Sequence, residues 1–247
     1  MAEALKNKVA IITGAGRGIG AACAALFAEQ GAKVVLASRT ESEILAVAAS
    51  ITSRHGPGRA LTVKCDVSQE AEVQELFKRS LASFGPVDIL VNNAGAIVVS
   101  PIESMTLESW EQVMSVNIRG TFLCSREAFR QIRSASLVGP HKGAIINLSS
   151  LGGIRGTEKF KGMSAYVAAK FGIVGLTESL AVEGKELGIR VNCVAPGAVD
   201  TQMLREAAPF LKTETTPLDV AKVIFFLADE QQSKAMNGSV LEIFSNA

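Results

Sequence analysis

Val9-Ala-Ile-Ile-Thr13-Gly-Ala-Gly-Arg-Gly-Ile-Gly20 is the stretch that decides the fold of this 247-residue chain. An apolar run passes into a glycine-rich turn, and the alanine-rich segment Ala21 to Glu29 follows. This order predicts a buried strand, a tight turn and a helix. Glycines at such a junction let the backbone approach a pyrophosphate, and the free N–H groups of the helix N-terminus favour that anion. We therefore interpret the turn as a nucleotide-binding loop rather than a simple tight turn.

Apolar strands and amphipathic helices alternate from this turn to the end of the chain. Six further strands are predicted, at residues 33–38, 60–65, 87–91, 143–148, 189–195 and 239–244. No internal repeat or break in composition divides the sequence, so one domain, 1–247, is expected. Such alternation predicts parallel strands that are buried on both faces. The predicted fold class is α/β, a single doubly wound parallel sheet (Rossmann-type, about seven strands) with helices on both faces.

The composition limits the classes of partner and compartment. The formal net charge is +1, with acidic and basic residues mixed throughout, which argues against nucleic acid or a membrane surface as a partner. Glu3 precedes any long apolar segment, so we expect no signal peptide. No apolar run approaches the ~18 residues that a spanning helix needs. A cytoplasmic protein is expected.

The cysteines and histidines show no metal-binding pattern. The cysteines lie in apolar surroundings without a Cys-x-x-Cys pair, and neither histidine is near them in sequence: they are Cys23, Cys65, Cys124, Cys193, His55 and His141. Buried, unreactive thiols are the usual result of such a distribution. We expect no metal, and no hydrolase triad either, because neither histidine follows a nucleophile or base motif.

A second stretch, Ser164-Ala-Tyr166-Val-Ala-Ala-Lys170, carries the only tyrosine of the chain, four residues before a lysine. In a helix this spacing places both side chains on one face. A phenol has a pKa of about 10, and a cation within reach favours the phenolate and lowers that pKa by roughly 1–3 units. The pair is a candidate general acid and base, although a surface helix with a solvated lysine shows the same spacing.

Polar residues follow the ends of the predicted strands. They are Ser38-Arg39, Asp66, Asn92-Asn-Ala-Gly95, Ser149-Ser150 and Pro196-Gly197. In doubly wound sheets ligands bind at this edge, outside the carboxyl ends of the strands. A further polar residue, Asn117, falls within a long helical region predicted from Thr106 to about Ser134.

Together and in this order, the motifs resemble those of the short-chain dehydrogenase/reductase family over nearly the whole chain. They are Thr-Gly-x-x-x-Gly-x-Gly at 13–20, Asn-Asn-Ala-Gly at 92–95, Asn117, Ser150, Tyr166-x-x-x-Lys170 and Pro-Gly at 196–197. The resemblance implies hydride transfer between a nicotinamide cofactor and a small-molecule carbonyl or alcohol.

The resemblance also implies roles for individual residues. Tyr166 would be the general acid for reduction, and Ser150 would hold the carbonyl oxygen. Lys170 would lower the pKa of Tyr166 and bond the nicotinamide ribose, and Asn117 would anchor a water on the proton path. The implied cofactor-binding residues are Gly14, Gly16, Arg17, Gly18, Ile19, Gly20, Ser38, Arg39, Asp66, Val67, Asn93, Ala94, Gly95, Tyr166, Lys170, Pro196, Gly197, Val199 and Thr201.

Charge at the end of the second strand predicts which nicotinamide cofactor is used. An NAD-selective enzyme normally has an acid there, whereas a 2′-phosphate needs cations. This chain has Ser38 followed by Arg39, and Arg17 lies in the glycine turn. Thr40 and Glu43 fit a capping box, so Glu41, the one nearby acid, is expected to lie in the first turn of the next helix and to favour its dipole. NADP(H) is the expected cofactor.

Three segments depart from the family pattern. Ser150 and Tyr166 are 16 positions apart (166 − 150), about three more than usual. The basic stretch 155–161 between them is either a solvated loop or a site for an anionic substrate. Residues 201–216, where the family has its substrate lid, form a short segment, and the C-terminal residues 240–247 contain no glycine pair. These departures leave the substrate and the tetramer contacts open.

A homodimer or homotetramer is expected, because small residues recur along the predicted helix from Tyr166 to Glu186. They are Ala168, Ala169, Gly172 and Gly175, and they would permit close approach of a symmetry mate. The alternative is that they serve only the side of the helix that faces the sheet.

Two alternative functions stay open. One is a 3-oxoacyl-acyl-carrier-protein reductase, which would need basic residues for the carrier protein; this chain has Leu187 there, with Lys142 and Lys185 as partial substitutes. The other is a non-catalytic NADP(H)-binding sensor. A sensor needs the glycine turn but not a proton donor, so the presence of Tyr166 argues against it.

Overall fold

Seven strands form one parallel sheet in the order β3-β2-β1-β4-β5-β6-β7. The computed structural model describes residues 3–136 and 142–245, so His141 and residues 246–247 lie outside the described residues. The strands are β1 Val9–Thr13, β2 Lys33–Ser38, β3 Ala60–Lys64, β4 Ile89–Asn92, β5 Gly143–Leu148, β6 Ile189–Pro196 and β7 Val240–Ile243.

Helices cover both faces of the sheet. They are α1 Gly18–Glu29, α2 Glu41–His55, α3 Glu70–Phe84, α4 Leu107–Met114, α5 Gly120–Ser136, α6 Ser164–Gly184, α7 Gln202–Ala207, α8 Pro217–Ala228 and α9 Glu230–Ser233. Successive residues of a strand point to opposite faces. Ile12 thus packs with Phe27 of α1 in one buried cluster, whereas Ile11 packs with Phe77 of α3 and Ile132 of α5 in another. The predicted α/β class and doubly wound sheet are confirmed.

The strand order reverses at β1. The chain builds outward from β1 through β2 to β3, then crosses back to place β4 on the other side of β1. At such a reversal the connections leave in opposite directions, which opens a crevice at the carboxyl ends of the strands. The polar motifs of the sequence follow strands at this edge.

The long helix predicted from Thr106 to about Ser134 is interrupted. Thr106 caps α4 by accepting a hydrogen bond from the Ser109 N–H at 3.1 Å, but residues Ser115–Arg119 form a π-helical turn before α5 begins. A π turn holds one residue more than an α turn and often marks a functional site. Asn117 lies in this turn and is fully buried.

A buried polar network joins the sheet to α6. Asn92 and Asn147 are register partners on β4 and β5, and the Asn92 Nδ2 donates to the Asn147 Oδ1 at 2.8 Å. The Asn147 Nδ2 donates in turn to the Thr177 Oγ1 on α6 at 2.9 Å. These bonds fix how α6 sits against the strands.

By length and composition, one helix among the described residues is apolar enough to cross a membrane. It is α6 with the short turn after it, Ser164–Leu187, whose most apolar window is 33% buried. The buried side of this helix carries Lys170 and Thr177, both hydrogen-bonded to neighbouring residues. A core helix that packs on a sheet passes the same test.

Candidate active site

The glycine turn lies where β1 ends. Gly14 and Gly18 have φ values of +63° and +55°, which residues with a Cβ rarely adopt. Gly20 permits close packing, since a Cβ there would lie 2.2 Å from the Gly14 carbonyl oxygen. The Asn93 Nδ2 donates to the Thr13 and Gly14 carbonyl oxygens at 2.9 and 3.1 Å. The N-cap of α1 supplies no side-chain hydrogen bond, so the first N–H groups of the helix are left for an anion.

Ser150, Tyr166 and Lys170 meet where β5 ends and α6 begins. Ser150 and Tyr166 border the same space, because a Cβ built on Gly152 would lie 3.5 Å from the Ser150 Oγ and 3.9 Å from the Tyr166 ring. The Ser150 Oγ accepts a hydrogen bond from the Gly152 N–H at 3.1 Å. Lys170 is only 4% exposed, and its Nζ donates to the Leu148 carbonyl oxygen at 2.8 Å. Two hydroxyls and one ammonium group are therefore gathered at one end of the sheet.

Burial controls the pKa values of these groups. Burial raises the pKa of Tyr166, and the neighbouring Ser150 hydroxyl opposes that shift in part. Burial also lowers the pKa of Lys170 to about 8. The pKa of Tyr166 is therefore raised where a lowering was expected, because burial is the largest influence on it. The Lys170 Nζ lies over the face of the phenol ring, 5.5 Å from its centroid, and its hydrogen bond goes to a backbone carbonyl.

Asn117 lies behind this group, held by the π turn. Its Nδ2 donates to the carbonyl oxygens of Ala96 and Val113 at 2.7 and 2.8 Å, whereas its buried Oδ1 has no partner among the described residues. A Cβ built on Gly95 would lie 3.1 Å from this oxygen and 3.8 Å from the Lys170 Nζ. Both atoms therefore border the same space beside Gly95, and an unpaired buried acceptor is a partner for an ordered water.

The end of the site beside β2 and the glycine turn differs from the sequence prediction. The Thr40 side chain makes no capping hydrogen bond, so the predicted capping box is wrong. Glu43 instead reaches the cavity, with its Oε1 3.7 Å from the Arg17 guanidinium. Arg17 also donates to the Gln202 Oε1 at 2.8 Å. Arg39 lines the same cavity and is exposed. The site thus holds the two arginines that the sequence predicts there. It also holds the carboxylate of Glu43, which the sequence predicts at the helix cap instead.

One cavity of about 990 Å³ runs along this edge of the sheet and joins these groups. Most of the predicted site residues line it: Gly14, Gly16, Arg17, Gly18, Ile19, Ser38, Arg39, Asp66, Val67, Asn93, Ala94, Gly95, Ser150, Tyr166, Lys170, Pro196, Gly197, Val199 and Thr201. Gly20 and Asn117 do not. Gly20 packs against the Gly14 carbonyl group and Asn117 is buried behind Gly95.

The far end of the cavity involves residues that the sequence analysis did not single out. Phe160, in the loop between β5 and α6, lines the cavity, and its ring meets that of Phe210 edge to face at 5.9 Å. Phe210 follows α7 and is itself largely exposed. The only sequence signal was an aromatic residue within the unusually long loop, which does not reveal a partner 50 residues away (210 − 160).

The cysteines are buried thiols. Burial raises the pKa of Cys193 to about 11 and that of Cys65 to about 12, and it raises the pKa values of Cys23 and Cys124 as well. Within residues 3–136 and 142–245 there is no group of three or more His, Cys, Asp or Glu side chains that could hold a metal ion.

Known proteins resemble this chain in sequence and structure. A family model described as short chain dehydrogenase matches residues 8–212. Cis-4-hydroxycyclohexanecarboxylate dehydrogenase of Sinomonas cyclohexanicum is 37% identical, over 98% of this chain and 97% of that protein. The 3-oxoacyl-[acyl-carrier-protein] reductase FabG of Chlamydia muridarum is 35% identical, over 98% of both.

Two crystal structures give the same result. Levodione reductase superposes with a TM-score of 0.88 at 32% identity, over 96% of both chains. A 3-ketoacyl-(acyl-carrier-protein) reductase from Brucella melitensis, complexed with NADH, superposes with a TM-score of 0.88 at 33% identity, over 97% of this chain and 98% of that one.

Proposed function

The chain belongs to the short-chain dehydrogenase family, and from this we propose that it is an NADP(H)-dependent oxidoreductase that interconverts a carbonyl compound and a secondary alcohol. One observation carries the proposal. The side chains of Ser150 and Tyr166 line the same cavity as the glycine turn. A dinucleotide on the turn and a carbonyl group at the hydroxyls can then meet within one enclosed space.

The residues at the glycine turn fit a nicotinamide dinucleotide. The backbone at Gly14 and Gly18 can approach a pyrophosphate closely. The first N–H groups of α1 have no side-chain cap and are free to bind an anion. Bound there, the cofactor supplies or accepts the hydride. We assign its 2′-phosphate to Arg39, because Arg17 is shared with Glu43 and Gln202. One relative is complexed with NADH, so the family alone does not determine which cofactor is used. The proposed preference for NADP(H) therefore depends on these side chains.

The mechanism that we propose assigns one task to each polar side chain. Ser150 donates a hydrogen bond to the substrate oxygen, and Tyr166 donates the proton as the alkoxide develops. Its raised pKa keeps the phenol protonated at neutral pH, as reduction requires. Lys170 keeps two N–H groups for the ribose hydroxyls, since one is used by Leu148. The unpaired Asn117 Oδ1 anchors a water that leads protons to this group.

Tyr166→Phe tests the proposal. The turnover number for NADPH-dependent reduction should fall by roughly 10²–10⁴, because the proton donor alone is lost. The affinity for NADPH, measured by its fluorescence in the complex, should stay nearly unchanged. The wild-type assay follows NADPH absorbance against ketones, quinones, keto sugars and 3-oxoacyl thioesters. A Phe variant that keeps more than a tenth of wild-type activity would show that Tyr166 is not the acid.

A narrower candidate is 3-oxoacyl-acyl-carrier-protein reduction, which the names of the Chlamydia and Brucella relatives favour. Its test is turnover of a 3-oxoacyl thioester well above that of simple ketones. Of the basic residues available for a carrier protein, Lys142 is paired with Glu230 at 3.0 Å, whereas Lys185 is exposed. Tight NADPH binding without turnover of any carbonyl class would instead indicate the sensor.

We further propose that the whole chain, residues 1–247, acts as one domain within a cytoplasmic homodimer or homotetramer. Ala168, Gly172 and Gly175 are exposed along one side of α6, and nothing lies within 4 Å of a Cβ built on Gly175. This side can receive a symmetry mate at close range. Ala169, grouped with them in the sequence analysis, is instead buried and packs beside Tyr166.

A further inference from the structure

Apolar side chains wall the cavity beyond the hydroxyl pair. Leu151, Phe160 and Met163 come from the loop between β5 and α6, and Leu204 and Leu211 come from α7 and the segment after it. The Phe160 ring is held from the outer side by its edge-to-face contact with Phe210. The loop between β5 and α6 and the segment after α7 therefore meet through these two aromatic rings.

The charged side chains at this end offer no free cation to a substrate. Arg205 forms an ion pair with Asp200, and the Lys170 ammonium is bonded to a backbone carbonyl behind the phenol. Glu158 lines the cavity and is exposed, with no hydrogen bond or ion pair to another described residue. An anionic substrate would face this carboxylate. Whether the cavity can bind such a substrate therefore depends on Lys159, the remaining cation that lines this end.

Lys159 is engaged by its own loop. Its Nζ donates to the Ile154 carbonyl oxygen at 2.7 Å, and to the Thr157 carbonyl and hydroxyl oxygens at 3.0 and 2.5 Å. The Leu151 carbonyl oxygen lies at 3.4 Å, and the ammonium also lies 5.4 Å from the centroid of the Phe171 ring on α6. An ammonium group has three protons to donate. These contacts use all three, and they draw the loop into the shape that presents Phe160 to the cavity.

We infer that the substrate is a neutral, largely apolar carbonyl compound, and that Lys159 is a positioning residue for the loop rather than a receptor for an anion. This inference rests on the proposed function and names the substrate class of the same site. An anion beside the Glu158 carboxylate meets a like charge without a free cation to offset it, whereas an apolar ring gains from contact with Phe160, Leu204 and Leu211. The sequence leaves open whether this basic loop is solvated or binds an anionic substrate, and the bonds of Lys159 within its own loop argue against the anion site.

Two compounds that differ only in charge provide the first test: methyl 4-oxocyclohexanecarboxylate and the free 4-oxocyclohexanecarboxylate. The kcat/KM for reduction of the neutral ester should exceed that of the acid by about tenfold or more. Glu158→Gln should raise kcat/KM for the acid by about two- to fivefold and leave the ester nearly unchanged. A wild-type enzyme that reduces the acid as well as the ester overturns the inference.

Lys159→Met provides the second test. Loss of the loop contacts should raise KM for ester and acid by the same factor, with kcat nearly unchanged, and Lys159→Arg should restore much of the loss. Lys161→Met is the matched control, because Lys161 is an exposed residue of the same loop that does not line the cavity. A Lys159→Met variant that loses the acid selectively would identify an anion receptor and overturn the inference.

A binding measurement without turnover distinguishes failure of this inference from failure of the proposed function. The ester and the acid are titrated calorimetrically into wild-type protein with the oxidised cofactor, where no hydride can be transferred to a ketone. Tighter binding of the ester supports the substrate class even if neither compound is reduced, in which case only the proposed function fails. Tighter binding of the acid, or binding of neither compound, counts against the substrate class whatever the turnover.

Discussion

Replacing Arg39 by alanine should remove most of the preference for NADPH. Arg39 lines the ribose end of the cavity and is exposed, with no hydrogen bond or ion pair to another described residue. A hydrogen bond to a charged group contributes ~1.5–3 kcal/mol, and solvent screening of an exposed guanidinium favours the lower value. Because about 1.4 kcal/mol is a factor of ten, kcat/KM for NADPH should fall about tenfold, with little change for NADH.

Neighbouring side chains sharpen this prediction. Arg17→Ala should cost less than Arg39→Ala, because Arg17 already bonds Gln202 and lies 3.7 Å from Glu43. Glu43→Gln should act in the opposite direction and raise kcat/KM for NADPH by up to about fivefold, because an exposed ion pair contributes about 0.2–1 kcal/mol. Combining Ser38→Asp with Arg39→Ala should reverse the order of the two cofactors.

The assay compares kcat/KM for NADPH and NADH at a fixed, saturating ketone concentration. Wild-type protein should prefer NADPH by at least about tenfold. Arg155→Ala is the control, since Arg155 is an exposed arginine that does not line the cavity. If the wild-type protein uses both cofactors equally, or if Arg39→Ala weakens both alike, Arg39 does not meet the 2′-phosphate.

Three other features lead to predictions. Gly20→Ala should lower the free energy of unfolding in urea by about 1–3 kcal/mol, because its Cβ would lie 2.2 Å from the Gly14 carbonyl oxygen; a variant as stable as wild type would contradict this packing. Lys170 has a pKa lowered to about 8, so its charge is present below that pH and lost above it, and kcat/KM for reduction should decline above about pH 8. The Lys170→Arg variant should turn over more slowly, but its kcat/KM should not decline above about pH 8. If the variant shows the same pH profile as the wild-type protein, Lys170 is not the source of the decline. Gly175→Leu should convert the assembly to a smaller species in sedimentation experiments while the protomer stays folded, and wild-type protein that is monomeric at micromolar concentration would refute the assembly.

The sequence predicted the fold well because the decisive signals are local. The strand Val9–Thr13 is buried throughout and apolar up to Thr13, as is typical of a central parallel strand, and the glycine turn and alanine-rich helix follow directly. Once the strands are parallel, their carboxyl ends share one edge, so residues such as Asn93 and Ser150 were expected at one site. Periodicity and topology sufficed for this step.

Side-chain direction and burial could not be predicted in the same way. Glu43 has the spacing of a capping box. It forms an ion pair with Arg17 instead, because the glycine turn brings that arginine close in space. The sign of the Tyr166 pKa shift depends on how deeply the phenol is buried and where the Lys170 ammonium points, and spacing along a helix contains neither quantity. The π turn at Asn117 likewise follows from tertiary contacts, since a single extra residue leaves the apolar periodicity almost unchanged.

The buried network of Asn92, Asn147 and Thr177 also constrains which sheet the chain can form. A parallel pair of apolar strands could slip by one residue and still bury hydrophobic surface, but here a slip would separate Asn92 from Asn147. Each buried polar group left unpaired costs about 1–3 kcal/mol, which a slipped sheet could not recover from its apolar contacts. Misregistered folding intermediates are therefore disfavoured by the same bonds that set α6 in place. The hydrogen bonds of Asn92, Asn147 and Thr177 therefore set both the strand register and the position of α6, the helix that carries Tyr166.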